Sequence, residues 1–90
     1  MKLEIEFTTQ FKKDYKRIKK QNKDTSKLYS VIRLLSSGKK LKPRHKDHSL
    51  SGELKRMRDC HIEPDWLLIY GLKPGLLSLK RTGSHSDLFK

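Results

Sequence analysis

Residues 66–82, which read WLLIYGLKPGLLSLKRT, indicate the type of fold most clearly. Two apolar runs, Trp66–Leu72 and Leu76–Thr82, flank Lys73-Pro74-Gly75. A Pro-Gly pair between apolar runs is typical of a tight turn, because proline fixes φ and glycine accepts a left-handed backbone. The stretch therefore predicts two antiparallel strands joined by a hairpin, with Trp66–Leu72 as a central, buried strand.

A third strand is predicted on the N-terminal side of this hairpin. We interpret Leu54–Ile62 as a strand in spite of its charges. Glu63-Pro64-Asp65 connects it to Trp66 as a turn, since proline has a fixed φ and lacks an amide proton. Three strands joined by short turns form an antiparallel meander.

A strand and a helix begin the chain. In residues 3–7 apolar side chains alternate with glutamates, and this period of two predicts a strand with one buried face. Phe11, Tyr15 and Ile18 follow at helical spacing, with Thr8 or Thr9 available as the N-cap. Lysines and an arginine occupy the rest of this helix, so its outer face is strongly basic.

A second helix is predicted through Leu28–Leu35, with Thr25 or Ser26 as its N-cap and Gly38 in a left-handed position after its end. Residues 39–51 are then a loop. The predicted order is β-α-α-β-β-β, an α+β fold in which a helical hairpin covers one face of an antiparallel sheet. We expect residues 1–90 to form a single domain, because the length allows only one.

Composition limits the classes of function. The 90 residues carry 22 Lys+Arg against 10 Asp+Glu, a formal net charge of +12, which indicates a polyanionic or acidic partner. No apolar run reaches the roughly 20 residues that span a bilayer, and the N-terminus lacks the apolar region of a signal peptide. The single Cys60 cannot form an intramolecular disulfide, so we expect a cytoplasmic protein.

Few motifs in the sequence carry chemistry. The five glycines are scattered and form no phosphate-binding loop. Cys60 could act as a nucleophile only with a base such as His61, yet neighbouring residues of a strand point to opposite faces. A packed thiol is therefore favoured.

The histidines allow three interpretations: surface residues, half of a zinc site at His45 and His48, or general acid–base catalysts near neutral pH. Zinc is disfavoured because no second pair with ligand spacing follows, and the residues alone favour the surface interpretation. The four histidines and their accompanying acids are His45, His48, His61 and His85 with Asp47, Asp59, Asp65 and Asp87.

Basic residues recur in the first helix, the loop and the last strands, a distribution that suits phosphate contacts. Trp66 and Phe89 are the aromatic residues outside the clear core pattern. Packing is favoured for Trp66, whereas Phe89 has little structural reason to lie next to the C-terminus.

Three motifs, in order, resemble one known family. Residues 46–52 (KDHSLSG), 58–70 (RDCHIEPDWLLIY) and 81–89 (RTGSHSDLF) are similar to the YafQ-type toxins of the RelE/ParE superfamily, which belong to type II toxin–antitoxin systems. The resemblance covers nearly the whole chain. Its one departure is Ser49, where the family usually has proline after the histidine, and this affects the rigidity of the loop.

The resemblance implies a RelE-like fold and a ribosome-dependent endonuclease of messenger RNA that uses no metal or cofactor. The 2′-hydroxyl of the RNA would be the nucleophile, with a base, an acid and a cation supplied by the protein. By resemblance, the acid–base positions are His48, His61, Asp65 and His85. The expected substrate-binding residues are Arg81 for phosphate charge, Phe89, Asp59 as an orienting group, and Trp66.

The resemblance also implies partners. These are the ribosome, its messenger RNA and a cognate antitoxin, DinJ-like, with a dimeric DNA-binding region and an acidic or amphipathic segment that wraps the toxin. Two alternatives remain: a non-catalytic basic protein that binds RNA or the ribosome, and a gyrase-poisoning toxin of the same superfamily. Both leave the histidines without a role.

Overall fold

The computed structural model describes residues 2–49 and 57–89. Among these, five strands and three α-helices follow one another along the chain. They are β1 (Glu4–Phe7), α1 (Thr9–Lys20), α2 (Thr25–Ser36), a 3₁₀ turn (Pro43–His45), β2 (His48–Ser49), β3 (Met57–Glu63), β4 (Trp66–Lys73), β5 (Leu76–Gly83) and α3 (His85–Leu88).

The strands form one sheet in the order β1-β5-β4-β3-β2. The meander predicted from residues 66–82 and their N-terminal neighbours is confirmed, because β3, β4 and β5 pair antiparallel. The sheet adds two features. β1 pairs with β5 in parallel, and residues His48–Ser49 of the predicted loop pair with β3 as the short strand β2. The predicted strand start at residues 54–56 and the loop end at Gly52 lie outside the described residues.

The core lies between the sheet and the two long helices. β4 is buried from Trp66 to Gly71, as its apolar sequence predicts. Phe7 differs from the prediction: it is 45% exposed beside α1, whereas Ile5 packs against the core. The buried apolar residues of this layer are Phe11, Ile18, Leu28, Val31, Ile32, Leu35, Cys60, Ile62, Trp66, Leu68, Tyr70, Leu77 and Leu79.

The helix ends follow local side-chain chemistry. Thr8 caps α1, its hydroxyl accepting the Phe11 amide proton at 3.1 Å. Asp24, rather than the expected Thr25 or Ser26, caps α2 and accepts the Ser26 amide proton at 3.0 Å. A carboxylate is the stronger acceptor, so the helix begins one residue earlier than the hydroxyls suggested. Gly38 has φ of +73°, as predicted.

Side chains of α1 and of its N-cap residue bind the edge of β5 where β1 ends. Thr8 donates its hydroxyl proton to the Leu79 carbonyl at 2.8 Å. Farther along, Asp14 accepts the Thr82 amide proton at 3.2 Å and Arg17 donates to the Thr82 carbonyl at 2.8 Å. These contacts satisfy backbone groups that a longer β1 would have paired, and they fix α1 against the last strand.

Within residues 2–49 and 57–89, no helix has the length and apolar character needed to cross a bilayer.

Candidate active site

Polar residues gather on the face of the sheet opposite the helices. On β3, Cys60 and Ile62 point into the core, so Asp59 and His61 project from the other face. Register pairs His48 with Asp59 across the β2–β3 ladder, which brings the loop histidine to the same face. The predicted acid–base positions 48 and 61 therefore share one side of the sheet.

His48 lies against the buried carboxylate of Asp59. Its Nε2 is 3.2 Å from Asp59 Oδ1, and its Nδ1 is 3.3 Å from the Ser49 carbonyl oxygen. The first contact has the distance of an ion pair but not the alignment of a hydrogen bond, and Asp59 Oδ1 has no other hydrogen-bond partner in the described part of the chain. A small rotation of the exposed imidazole would complete this bond, so Asp59 can orient His48.

His85 forms a second histidine–carboxylate pair, with Asp65. Asp65 Oδ1 accepts the backbone amide proton of His85 at 3.0 Å and lies 2.6 Å from His85 Nδ1. These two hydrogen bonds from His85, backbone first, lower the pKa of Asp65. Because the carboxylate can only accept, Nδ1 carries the proton of this bond, and the other ring nitrogen, Nε2, is left for a substrate.

His61 stands beside His85. The two ring centroids are 5.7 Å apart, and His61 Nδ1 lies 3.2 Å from the Pro64 carbonyl oxygen. A carbonyl oxygen can only accept a hydrogen bond, so Nδ1 is the donor, and Nε2 is again the ring nitrogen left for a substrate. The β3–β4 turn thus orients both imidazoles, one through its carbonyl and one through Asp65.

His45 fastens the loop to β3 and does not form a ligand pair with His48. It is buried, and its Nδ1 lies 2.7 Å from the His61 carbonyl oxygen. The structure therefore does not bring His45 and His48 together as zinc ligands. Among the described residues, the set close enough for a cation is His48, Asp59 and His61, whose ligand atoms all lie within 4.8 Å of one another.

A tyrosine anchors the loop next to His48. Tyr70 donates its hydroxyl proton to Asp47 Oδ1 at 2.5 Å, and Arg58 donates to the same oxygen at 3.2 Å. Arg58 also donates to the Ser49 hydroxyl at 3.0 Å. Burial, and then the bond to Asp47, raises the pKa of Tyr70. The sequence signal for this anchor was a lone phenol in an aliphatic strand, which needs a partner when buried.

Arg81 is tied to a carboxylate that the sequence pattern alone did not single out. Its Nε and Nη2 lie 2.7 and 3.3 Å from the oxygens of Asp14, which is fully buried on α1. Arg17 binds the same carboxylate at 2.9 Å, so it is not part of the free basic face on which the sequence placed it. The available signal was an acid on the stripe of Phe11 and Ile18.

The remaining predicted residues differ in accessibility. Trp66 is fully buried, donates its indole proton to the Thr82 hydroxyl at 2.9 Å and is covered by Lys23, so a direct contact with substrate is corrected to a role in the core. Phe89 is 46% exposed directly after α3 and stays a prediction. Cys60 is buried, and this burial raises the pKa of its thiol, which confirms the packed interpretation.

Comparison with known proteins places this geometry among bacterial toxins. Residues 3–90 match a family model described as a bacterial toxin of type II toxin–antitoxin system, YafQ. The chain is 45% identical over 87 residues to the mRNA interferase toxin YafQ of Escherichia coli K12, which covers 96% of this chain and 95% of that protein.

Solved structures agree. The Escherichia coli DinJ–YafQ toxin–antitoxin complex contains a chain that is 43% identical over the full length of both, with a TM-score of 0.93. A copper-bound mutant toxin from Helicobacter pylori is 40% identical, covers 97% of this chain and 99% of its own, and also has a TM-score of 0.93.

Proposed function

Because this chain belongs to the YafQ family of toxins from type II toxin–antitoxin systems, we propose that it is an endoribonuclease that cleaves messenger RNA on the ribosome. The observation that carries the proposal is the adjacent pair His61 and His85, each oriented through Nδ1 by the β3–β4 turn. Two imidazoles that each keep Nε2 for a substrate are what a reaction with two proton transfers requires.

The proposed reaction uses the substrate's own nucleophile. A base removes the proton of the 2′-hydroxyl, the oxygen attacks the adjacent phosphorus, and an acid protonates the leaving 5′-oxygen. The products are a 2′,3′-cyclic phosphate and a 5′-hydroxyl. The Nε2 atoms of His61 and His85, which remain when Nδ1 is hydrogen-bonded, suit the two transfers, with Asp65 fixing the ring of His85.

Charge on the transition state needs a cation. Arg81 and the Asp59-oriented His48 are the groups we assign to the developing phosphorane, because both carry donors at a partly exposed surface. Phe89 is exposed at the end of α3, four residues after His85, and is assigned to stacking on a base. Trp66 supports the site only from the core.

The ribosome supplies the substrate in this proposal. The net charge of +12 supports binding to ribosomal RNA, and Lys12, Lys13 and Lys16 are exposed on one helix. The ribosome would hold the messenger in place, which lowers the entropy cost of the reaction. This assignment places the protein in the cytoplasm, where translation occurs.

Reconstituted translation of a defined messenger tests this function. We expect primer extension to reveal cuts that depend on ribosomes and leave 5′-hydroxyl ends, and we expect no cuts with His85→Ala. Intact messenger with slowed translation would instead support the non-catalytic binder, and inhibition of gyrase would support the other branch of the superfamily.

An antitoxin is the second proposed partner, and an apolar groove on the helices is the surface we assign to it. Phe7, Phe11, Tyr15 and Tyr29 form a chain of rings with successive centroids 6.0, 6.4 and 6.1 Å apart. They line a cavity of about 350 Å³, which Lys12 and Lys16 flank. The exposed rings of Phe7 and Tyr29 beside lysines suit the apolar face of an amphipathic segment with acidic edges.

Affinity for the DinJ-like antitoxin tests this surface. Tyr29→Ser removes an exposed ring of the groove, and we expect weakening of at least about tenfold, since aromatic anchors dominate interface energy. Leu72→Ser is the matched control, because Leu72 is equally exposed, at 46%, on β4. Equal effects of the two changes would remove the antitoxin from this groove.

A further inference from the structure

Asp14 is a buried acid in a helix whose exposed face is basic. It is the only acidic residue of α1, where lysines and an arginine occupy the exposed positions. Its side chain is fully buried, on the stripe that carries Phe11 and Ile18 into the core. A carboxylate in such a place is costly unless donors surround it.

Donors do surround it, and they come from two elements. Oδ1 accepts from Gln10 at 3.2 Å and from Arg17 at 2.9 Å, both on α1. Oδ2 accepts from Arg81 Nε at 2.7 Å and from the Thr82 amide at 3.2 Å, both on β5. Burial by itself would raise the pKa of Asp14, but these hydrogen bonds, Arg81 first among them, lower it. The group is therefore an anion at neutral pH.

The contact with Arg81 is two-pronged. Nε and Nη2 both face the carboxylate, which fixes the plane of the guanidinium as well as its position. The side chain is 33% exposed, so the other edge, with Nη1, is turned away from the buried carboxylate. An arginine without this partner would sample many rotamers, and a phosphate would have to order it.

We propose that Asp14 is a positioning residue that presents the Nη1 edge of Arg81 to the phosphate of the RNA. This inference rests on the nuclease function proposed above. Asp14 touches no substrate atom; it orders in advance a guanidinium that must meet charge developing on the phosphorane. The alternative is that the pair only fastens α1 to β5.

A double-mutant cycle separates positioning from fastening. We expect Arg81→Gln to lower the cleavage rate about 10²–10³-fold, as for loss of one transition-state donor. Asp14→Asn keeps the shape and should cost about 10–10²-fold in kcat at saturating ribosomes, since misplacement by about 1 Å has that effect. The double variant should be no slower than Arg81→Gln. Independent, multiplicative losses would overturn the proposal.

Chemical rescue adds a measurement that fastening would not affect. In Arg81→Ala, free guanidinium ion should restore cleavage at least tenfold, because Asp14 offers a preformed site, and the ammonium ion should not. In Asp14→Asn/Arg81→Ala the rescue should disappear. Rescue that persists in the double variant would overturn the proposal. If Asp14→Asn does not fold, Asp14→Glu serves in its place, with the charge kept and the geometry changed.

Glu4→Gln is the matched control. It also removes one negative charge, but Glu4 is exposed on β1 and forms no contact with Arg81. We expect its cleavage rate to equal that of the wild type. A wild type that cuts no messenger would refute the nuclease function itself, whereas a cutting wild type with a multiplicative cycle would refute only the role of Asp14.

Discussion

Two clusters of charged groups treat their carboxylates in opposite ways. At the junction of α1 and β5, Asp14 is fully buried and accepts hydrogen bonds from Arg17, Arg81 and the Thr82 amide. At the β3–β4 turn, Asp65 is 70% exposed and binds one histidine that is itself 54% exposed. The junction has fixed partners and suits stability, whereas the turn keeps ring nitrogens that a substrate can reach. Five measurements test this contrast.

The largest effect is expected at the exposed cluster. His85→Ala and His61→Ala should each lower messenger cleavage about 10²–10⁴-fold, the usual cost of losing a general acid or base, and His48→Ala should lower it about 10²–10³-fold, as for loss of a transition-state donor. Thermal unfolding should stay near that of the wild type, because His48 and His85 are exposed and His61 is half-buried. A folded variant that still cuts at the wild-type rate would remove that histidine from the site.

The second effect is on stability, and it should be larger at the buried carboxylate than at the exposed one. Asp14→Ala should destabilise the fold by about 1–3 kcal/mol, a figure below that of a fully buried ion pair because both arginines are about one third exposed. Asp65→Ala should leave the free energy of unfolding unchanged and abolish cleavage. Denaturation in urea measures both. Equal losses of stability would show that burial does not distinguish the two carboxylates.

Low pH should remove the stabilisation that the buried carboxylate of Asp14 gives to the folded state. The folded pKa of Asp14 is lowered, so the stabilisation is fully present above the unfolded pKa and is lost as pH falls through the folded one. The difference in unfolding free energy between wild type and Asp14→Asn should therefore be constant near neutral pH and shrink below about pH 4. A difference that persists in full at about pH 2.5, well below the ordinary aspartate pKa, would contradict an ionised Asp14.

A smaller effect is expected on the outer face of α1. The combined variant Lys12→Gln, Lys13→Gln and Lys16→Gln should bind ribosomes more weakly. The slope of log affinity against log salt concentration should become shallower by about 0.7–0.9 for each phosphate interaction removed. The rate of the chemical step should not change. Arg17→Gln, by contrast, should lower stability, because Arg17 holds Asp14 and Thr82. Wild-type affinity and slope in the triple variant would make this face merely solvated.

Metal removal should have no effect. The ligand atoms of His48, Asp59 and His61 lie within 4.8 Å of one another, so a metal ion, if the protein binds one, is expected at this cluster. Chelation should leave cleavage intact once the magnesium of the ribosome is restored, and metal analysis should find no stoichiometric ion. One tightly bound ion per chain that His61→Ala abolishes would replace the metal-free interpretation.

The sequence predicted what is local and missed what is distant. Residues 66–82 show a hairpin because an apolar run, a Pro-Gly turn and a second run are contiguous. The parallel pairing of Glu4–Phe7 with Leu76–Leu79 leaves no local trace, since it depends on where the helices return the chain. Asp14 shows the same limit: its position on an apolar stripe was visible, but its partner Arg81 is 67 residues away.

The candidate site was visible by a different route. Residue types and a family pattern named His48, His61, Asp65 and His85, and the fold brings them to one face and one turn. The family pattern assigned both Trp66 and Phe89 to substrate binding, although the residues alone favoured packing for Trp66. Burial decides between them, and burial is a property of the whole fold.

Parallel pairing of the first strand with the last also dictates the order of events during synthesis. β1 is synthesised well before its partner β5 and the histidine that follows β5. A nascent chain that has not reached β5 therefore cannot pair β1, and contacts as distant as Thr8 with Leu79, 71 residues apart, form only after β5 has been made. Under the proposed function, a nascent chain that stops short of β5 would lack both the pairing of β1 and His85, one of its acid–base histidines.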